Sequence, residues 1–281
     1  MLAYWKLLKP RLSILVVLST LLSYAYASES TPHWTLWLIL GLAGFFITGA
    51  ANTANQIIEI RLDALMHRTR NRPMPGGQIN FVQAMIYSVV LLVSGTAAIA
   101  IWFNWNAALL SVISFGLYAF LYTPLKPKTP LSVLIGAFPG ALPVLVGCIA
   151  AENHFHPDYF ILFGIQFFWQ FPHFWAIAWV LDEDYQRAGF RMLPFGREKD
   201  ATAAYYIFIY TVAMVLVSLF PSFLQLTGYW YTMFATIGGI GFLFTTLRHM
   251  RSLSTPTARA VMFYSFFYLP LLQLLLAIDK I

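Results

Sequence analysis

Charge is what this chain has least of. Asp, Glu, Lys and Arg together supply 10% of its 281 residues, against about 25% in an ordinary soluble domain. So few charges cannot dress a water-facing surface, which excludes a soluble globular fold. Cysteine is almost missing too. The single Cys148 permits no internal disulfide and no metal–thiolate cluster. The first apolar stretch is long enough to span, so it reads as a retained helix and not a signal peptide. An Arg- and Ser-rich transit segment is lacking, and so are a low-complexity linker and a soluble domain.

Apolar sequence fills the gap. Hydrophobic residues make up 59%, and the mean hydropathy is +0.70. A spanning helix needs about 20 mostly apolar residues. Nine stretches qualify, at about 11–28, 35–60, 81–102, 105–122, 131–151, 157–181, 203–220, 228–248 and 257–278. The expected fold is therefore all-α: a polytopic membrane protein of nine transmembrane helices around a central cavity. Two charged loops follow the second and sixth stretches, four helices apart. They suggest one domain built as two four-helix halves plus a ninth helix.

The net charge of +6 has two readings, nucleic-acid binding or membrane topology. Loop assignment favours topology. Numbering the loops alternately puts 16 of the 17 basic residues on one side and only Lys280 on the other. The positive-inside rule then places the N-terminus in the cytoplasm and the C-terminus outside, in a bacterial-type inner membrane.

One stretch concentrates charge beside a spanning segment: "NQIIEIRLDALMHRTRNRP", Asn55 to Pro73. Asn55, Glu59 and Asp63 are spaced i, i+4, i+8, which puts them on one helix face. Carboxylates near a membrane are costly, oppose the helix dipole at a C-terminus and repel each other. A divalent cation compensates all three terms. Two carboxylates and an amide oxygen are hard ligands suited to Mg²⁺. Arg68 and Arg72 lie just beyond and fork onto phosphate oxygens. Carboxylates, Mg²⁺ and arginines together make a diphosphate site. The plainer reading is ordinary pairing of the acids with Arg61, Arg68 or Lys126 at a membrane interface, and residues alone leave it open.

A second loop, Leu181 to Asp200, repeats the order of acid, arginine, Met and Pro, with Asp182, Glu183 and Asp184 in a row. Such paired loops bring carboxylates from two sides of one cavity. In the third loop, Tyr122 and Lys126 reach for phosphate or simply form a proline-stiffened turn. His173 sits among aromatics after Pro172. An intramembrane histidine is a functional candidate. Contact with a haem iron, substrate orientation, proton donation and plain hydrogen-bonded structure all remain open for it. The other histidines, His249 included, fall near loops and read as surface residues.

At these motifs the chain resembles the intramembrane aromatic prenyltransferases, in particular their protohaem IX farnesyltransferase (haem O synthase) branch. The resemblance runs over nearly the whole chain. It rests on Asn55, Asp63, Met66, Arg68, Thr69, Arg72 and Pro73, then on Tyr122, Thr123, Leu125, Lys126 and Thr129. Gly136 to Pro143 matches a Gly-Ala-Pro stretch. Pro172 to Trp175, and Asp184, Tyr185, Ala188, Gly189 and Met192 to Pro194, match segments distinctive of the haem branch. Glu59 stands where the family usually has Asp, and Arg61 where another Asp is common. The resemblance implies transfer of farnesyl from farnesyl diphosphate to the vinyl group of haem B, with water addition, giving haem O. It implies Mg²⁺ on Asn55, Glu59, Asp63 and Asp184, diphosphate on Arg68, Arg72, Lys126 and Tyr122, and haem against His173. A haem A synthase or terminal oxidase is the implied assembly partner. A quinone-precursor acceptor and a non-enzymatic transporter are the alternative functions.

Overall fold

The computed structural model describes residues 1–29, 33–196 and 198–281; Arg197, one of the cations counted above, lies outside them. Nine helices among the described residues are long and apolar enough to cross a membrane. They are α1 (Pro10–Ala27), α2 (Trp34–Ile58), α3 (Phe81–Trp102), α4 (Trp105–Gly116, whose span runs on through a π-helical stretch to Leu125), α5 (Ser132–Glu152), α6 (Pro157–Val180), α7 (Ala201–Phe223), α8 (Tyr229–Ser252) and α9 (Thr255–Ile278). Three short helices, Leu2–Leu7, Ile60–Asp63 and Asp182–Arg187, sit at the end where the basic loops gather.

Local chemistry sets the boundaries. Asn80 starts α3 with a capping box, its side chain accepting from Gln83 N–H while Gln83 returns to the Asn80 N–H. Asn104 and Asp200 cap α4 and α7 through the N–H groups of Ala107 and Ala203. Pro10 and Pro157 occupy first turns, where no N–H is needed. Inside α5, Pro143 leaves the Pro139 carbonyl without its helical donor. The Ser114 hydroxyl of α4 donates to that oxygen at 3.0 Å. A neighbouring helix thus completes the backbone, as a membrane interior demands.

Helices adjacent in sequence pack side by side, and α9 closes the sequence of contacts against α1. α1 also packs on α5, and α6 on α9, so α1, α5, α6 and α9 form the inner group. α5 is the most buried span. Its backbone comes unusually close to α1 at Gly147, where a Cβ would stand 2.2 Å from the Thr20 carbonyl oxygen. Small residues allow this approach, and dispersion holds it where lipid offers no hydrophobic drive.

One reading from sequence needs correction. His249 is not a surface residue: it is fully buried, with its ring 4.5 Å from Trp179 and its Nδ1 3.0 Å from the Thr257 hydroxyl. It sits in the last turn of α8, and the tight turn into α9 folds over it.

Candidate functional site

α2 ends sooner than its apolar run suggests. Ile58 is its last residue, Glu59 takes non-helical angles, and Ile60–Asp63 makes one further turn. The spacing of the three polar residues nevertheless survives. Glu59 N–H donates to Asn55 O at 2.9 Å, and Asp63 N–H to Glu59 O at 2.7 Å. Both bonds run i to i−4, so Asn55, Glu59 and Asp63 stay stacked on one face. All three are buried.

Three cations meet this face, one from each of three separate segments. Arg72 Nη1 lies 2.6 Å from Asp63 Oδ2. The chain reaches it by a turn in which the Thr69 hydroxyl donates to Asp63 O and Arg72 N–H donates to Thr69 O. Lys126 Nζ lies 3.0 Å from Glu59 Oε1 and 4.7 Å from the centre of the Tyr122 ring. It is aimed by a π-helical turn, Leu117–Tyr122, between α4 and the short helix Thr123–Leu125. That turn lets the Thr123 hydroxyl donate to Tyr118 O and accept from Asn55 Nδ2. Gly136 of α5 makes room for the Tyr122 ring, since a Cβ there would come within 2.6 Å of it.

The third cation, Lys9, was missed from sequence. Its ammonium donates to Asn55 Oδ1 at 2.9 Å. Lys9 adopts a left-handed φ of 47° just before Pro10. Its sequence signal was slight: a basic residue before the first span reads as topology. Burial, with Arg72 and Lys126 nearby, lowers its pKa to about 7 despite Glu59 and Asp63. For Lys126, burial acts downward, but Tyr122, Glu59 and Tyr118 outweigh it and the net shift is upward. We attribute the charge it keeps chiefly to Glu59, the one anion in contact.

The second loop does dock on the first. Met66, Ala188 and Phe190 share a buried apolar cluster, flanked by Leu62, Tyr185 and Met192. Asp184 fastens the joint by accepting from the N–H groups of His67 and Arg68, at 3.2 and 3.1 Å. It also pairs with Arg187 at 3.2 Å. Asp184 is thus a staple between loops. No group of three or more His, Cys, Asp and Glu positioned to hold a metal occurs among the described residues. The structure therefore does not gather Glu59, Asp63 and Asp184 around one point. Arg68 is exposed and outside the buried cluster. His173 lies seven residues before the end of α6, in the membrane interior.

The donors present still suit a divalent cation. Asp63 is 0% exposed, and its Oδ1 has no hydrogen-bond partner among the described residues. A buried, bare carboxylate oxygen is expensive. With Asn55 and Glu59 beside it, it offers hard oxygen ligands to Mg²⁺.

Comparison with known proteins gives the family and the fold. Residues 16–269 match the model of the UbiA prenyltransferase family. A protohaem IX farnesyltransferase of Cytophaga hutchinsonii is 42% identical over 99% of this chain and 98% of its own length. One from Christiangramia forsetii is also 42% identical, over 97% and 91%. Among solved structures, a digeranylgeranylglyceryl phosphate synthase superposes with a TM-score of 0.80 at 21% identity, covering 99% and 97% of the two chains. A UbiA homologue from Archaeoglobus fulgidus bound to DMAPP and Mg²⁺ superposes at 0.67 with 15% identity, covering 95% and 98%. These two share the fold.

Proposed function

We infer that this chain, which belongs to the UbiA prenyltransferase family, transfers the farnesyl group of farnesyl diphosphate to haem B, adding water, to give haem O and diphosphate. One observation carries the chemistry: Asn55, Glu59 and Asp63 meet Lys9, Arg72 and Lys126 in a single buried cluster.

Each acid there is matched to a base while no ligand intervenes, which keeps the charges from being stranded. Diphosphate changes the pairing. Its oxygens take the fork of Arg72 and the ammonium groups of Lys126 and Lys9. The released carboxylates of Glu59 and Asp63, with the amide oxygen of Asn55, are the groups that would hold Mg²⁺. Bound there, Mg²⁺ would supply Lewis-acid stabilisation of the diphosphate leaving group. Lys126 and Arg72 act in the same direction, on charge that grows as the allylic C–O bond breaks. Tyr122 fixes Lys126 through its ring face and adds a hydroxyl for a phosphate oxygen. Arg68, exposed at the mouth, meets diphosphate on its way in. Asp184 serves by holding the two loops over the site.

The apolar interior keeps the allylic cation from bulk water, and haem lies against His173 between the inner helices. The basic end faces the cytoplasm of a bacterial-type inner membrane, with the C-terminus outside. Haem A synthase or a terminal oxidase, as consumers of the product, are the partners this reading adds.

The decisive experiment incubates purified protein with haem B, farnesyl diphosphate and Mg²⁺ and weighs the haem product. Haem O that disappears with chelator supports the reading. Prenylation of a hydroxybenzoate in place of haem overturns the acceptor. Substrate movement into vesicles without diphosphate release overturns the enzyme.

A further inference from the structure

Two acceptor atoms inside the inner helix group have no partner among the described residues, and they stand one turn apart on α6. The first is His173 Nε2. The other ring nitrogen, Nδ1, is 2.8 Å from the Ser265 hydroxyl of α9. That hydroxyl has one hydrogen, which it gives to Met262 O at 2.8 Å. The contact fits either tautomer; with the hydroxyl hydrogen on Met262 O, Nδ1 carries the ring proton and donates it to Ser265 Oγ, leaving the lone pair on Nε2. Trp169 secures the arrangement. Its ring stacks on His173 at 4.4 Å, and its Nε1–H donates to Ser265 O at 2.7 Å.

The second acceptor is Gln170 Oε1. The Gln170 amide is oriented by its nitrogen, which donates to Ala137 O at 2.9 Å and Gln166 O at 3.2 Å. Its oxygen fits only because position 140 of α5 is glycine, where a Cβ would stand 2.0 Å away. No described group donates to this oxygen or to His173 Nε2. His173 is 9% exposed and Gln170 2%. Three residues apart on the helix, they point about 60° from each other, Gln170 toward α5 and His173 toward α9. Two neighbouring acceptors without a donor are wrong for haem propionates and for phosphate. They are right for a molecule that brings two O–H donors.

We propose that His173 and Gln170 bind the water consumed in the reaction, and that His173 Nε2 is its general base. The assignment rests on the haem farnesyl transfer inferred above. In that reaction the farnesyl C–O bond breaks with its electron pair leaving on diphosphate. The vinyl π pair forms the new C–C bond, and the carbon next to the porphyrin ring becomes cationic. One O–H of the held water points to Gln170 Oε1 and the other to His173 Nε2, so an oxygen lone pair faces the cation. The C–O bond forms from that pair, and the proton passes to Nε2. Ser265 keeps Nδ1–H in place throughout, a positioning residue for the tautomer. The imidazolium then returns the proton to solvent. Nothing is oxidised or reduced.

The test is the product ratio. A cation that misses its water loses a proton from carbon instead, and the haem leaves as an alkene lighter by one water. His173→Gln and Gln170→Met are assayed in the purified full-length protein with haem B, farnesyl diphosphate and Mg²⁺, and the products are separated by mass. The expected result is a rise of about tenfold or more in alkene over alcohol. Ser265→Ala should give a smaller rise, and Ser265→Thr, which keeps the hydroxyl, should restore the alcohol. An unchanged ratio in His173→Gln, whatever its total turnover, overturns the proposal. So does a higher KM for haem at constant ratio, the mark of a residue that only holds haem. Absence of any prenylated haem from the unmutated protein overturns the parent reading, an outcome separate from a constant ratio.

Discussion

The two ends of the bundle use charge in opposite ways. At the end bearing the basic loops, buried acids and bases are paired but not saturated: Asp63 Oδ1 has no hydrogen-bond partner, and Glu59 meets Lys126 only as an ion pair. At the other end the polar groups close on each other. Lys280 donates to Tyr26 O at 2.9 Å and covers the Tyr26 ring at 4.9 Å. Asp279 accepts from Tyr231 N–H through its carboxylate at 2.8 Å and from Gly228 N–H through its carbonyl at 2.7 Å. The Tyr159 hydroxyl donates to Glu152 in a short bond. Charges engaged with each other and with backbone dipoles stabilise; charges left with spare capacity await a ligand. The second end is a clasp, and the first is the candidate site.

Substitutions separate the two kinds of charge. The largest effect should come from Asp63→Asn. It removes the bare buried oxygen as an anion, and turnover should fall on the order of 10²–10³-fold, with the variant still inserted and helical by circular dichroism. Lys126→Met should raise the KM for farnesyl diphosphate and lower kcat together, by about 10²-fold in kcat/KM, because it touches both ground state and leaving group. Asp184→Asn should cost less, about tenfold, by loosening the staple to His67 and Arg68. Faster proteolysis within residues 64–78 would report that loosening.

Lys9 allows a pH test. Its pKa of about 7 lies below that of an unfolded lysine. Between these values the unfolded chain binds more protons, so this group's contribution to stability rises with pH across that window. Diphosphate has the reverse preference, since it wants the charged ammonium. Its affinity should fall as pH rises above about 7, with proton uptake on binding, and Lys9→Gln should flatten that slope in calorimetric titrations. The smallest change in activity belongs to the clasp. Lys280→Ala should leave kcat within about twofold and cost about 1 kcal/mol of stability, read by thermal unfolding in detergent. A large loss of activity there would erase the contrast between the ends.

Periodicity and apolar length made the nine spans legible, and polar spacing picked out Asn55, Glu59 and Asp63. The ends of the spans were less so. The α2 run reads as helix to residue 60, yet the chain leaves helical angles at Glu59 before one further turn, Ile60–Asp63. The sequence singled out Asp184 as an acid but not as a staple, because its partners are backbone N–H groups 116 and 117 residues away. Lys9 and the buried state of His249 were not legible at all. A lysine beside a span looks the same whether it faces lipid headgroups or a carboxamide. A histidine near a turn carries no mark of what folds over it.

By itself the sequence determined that this chain lives in a bilayer, how often it crosses, and which end gathers the basic loops. Those follow from transfer free energies that each segment obeys alone. Only the tertiary structure decided which base meets which acid, which carboxylate oxygen stays bare, and which nitrogen of His173 meets Ser265. Those depend on distances of a few ångströms between helices far apart in the chain, and pairing energies change over that same range.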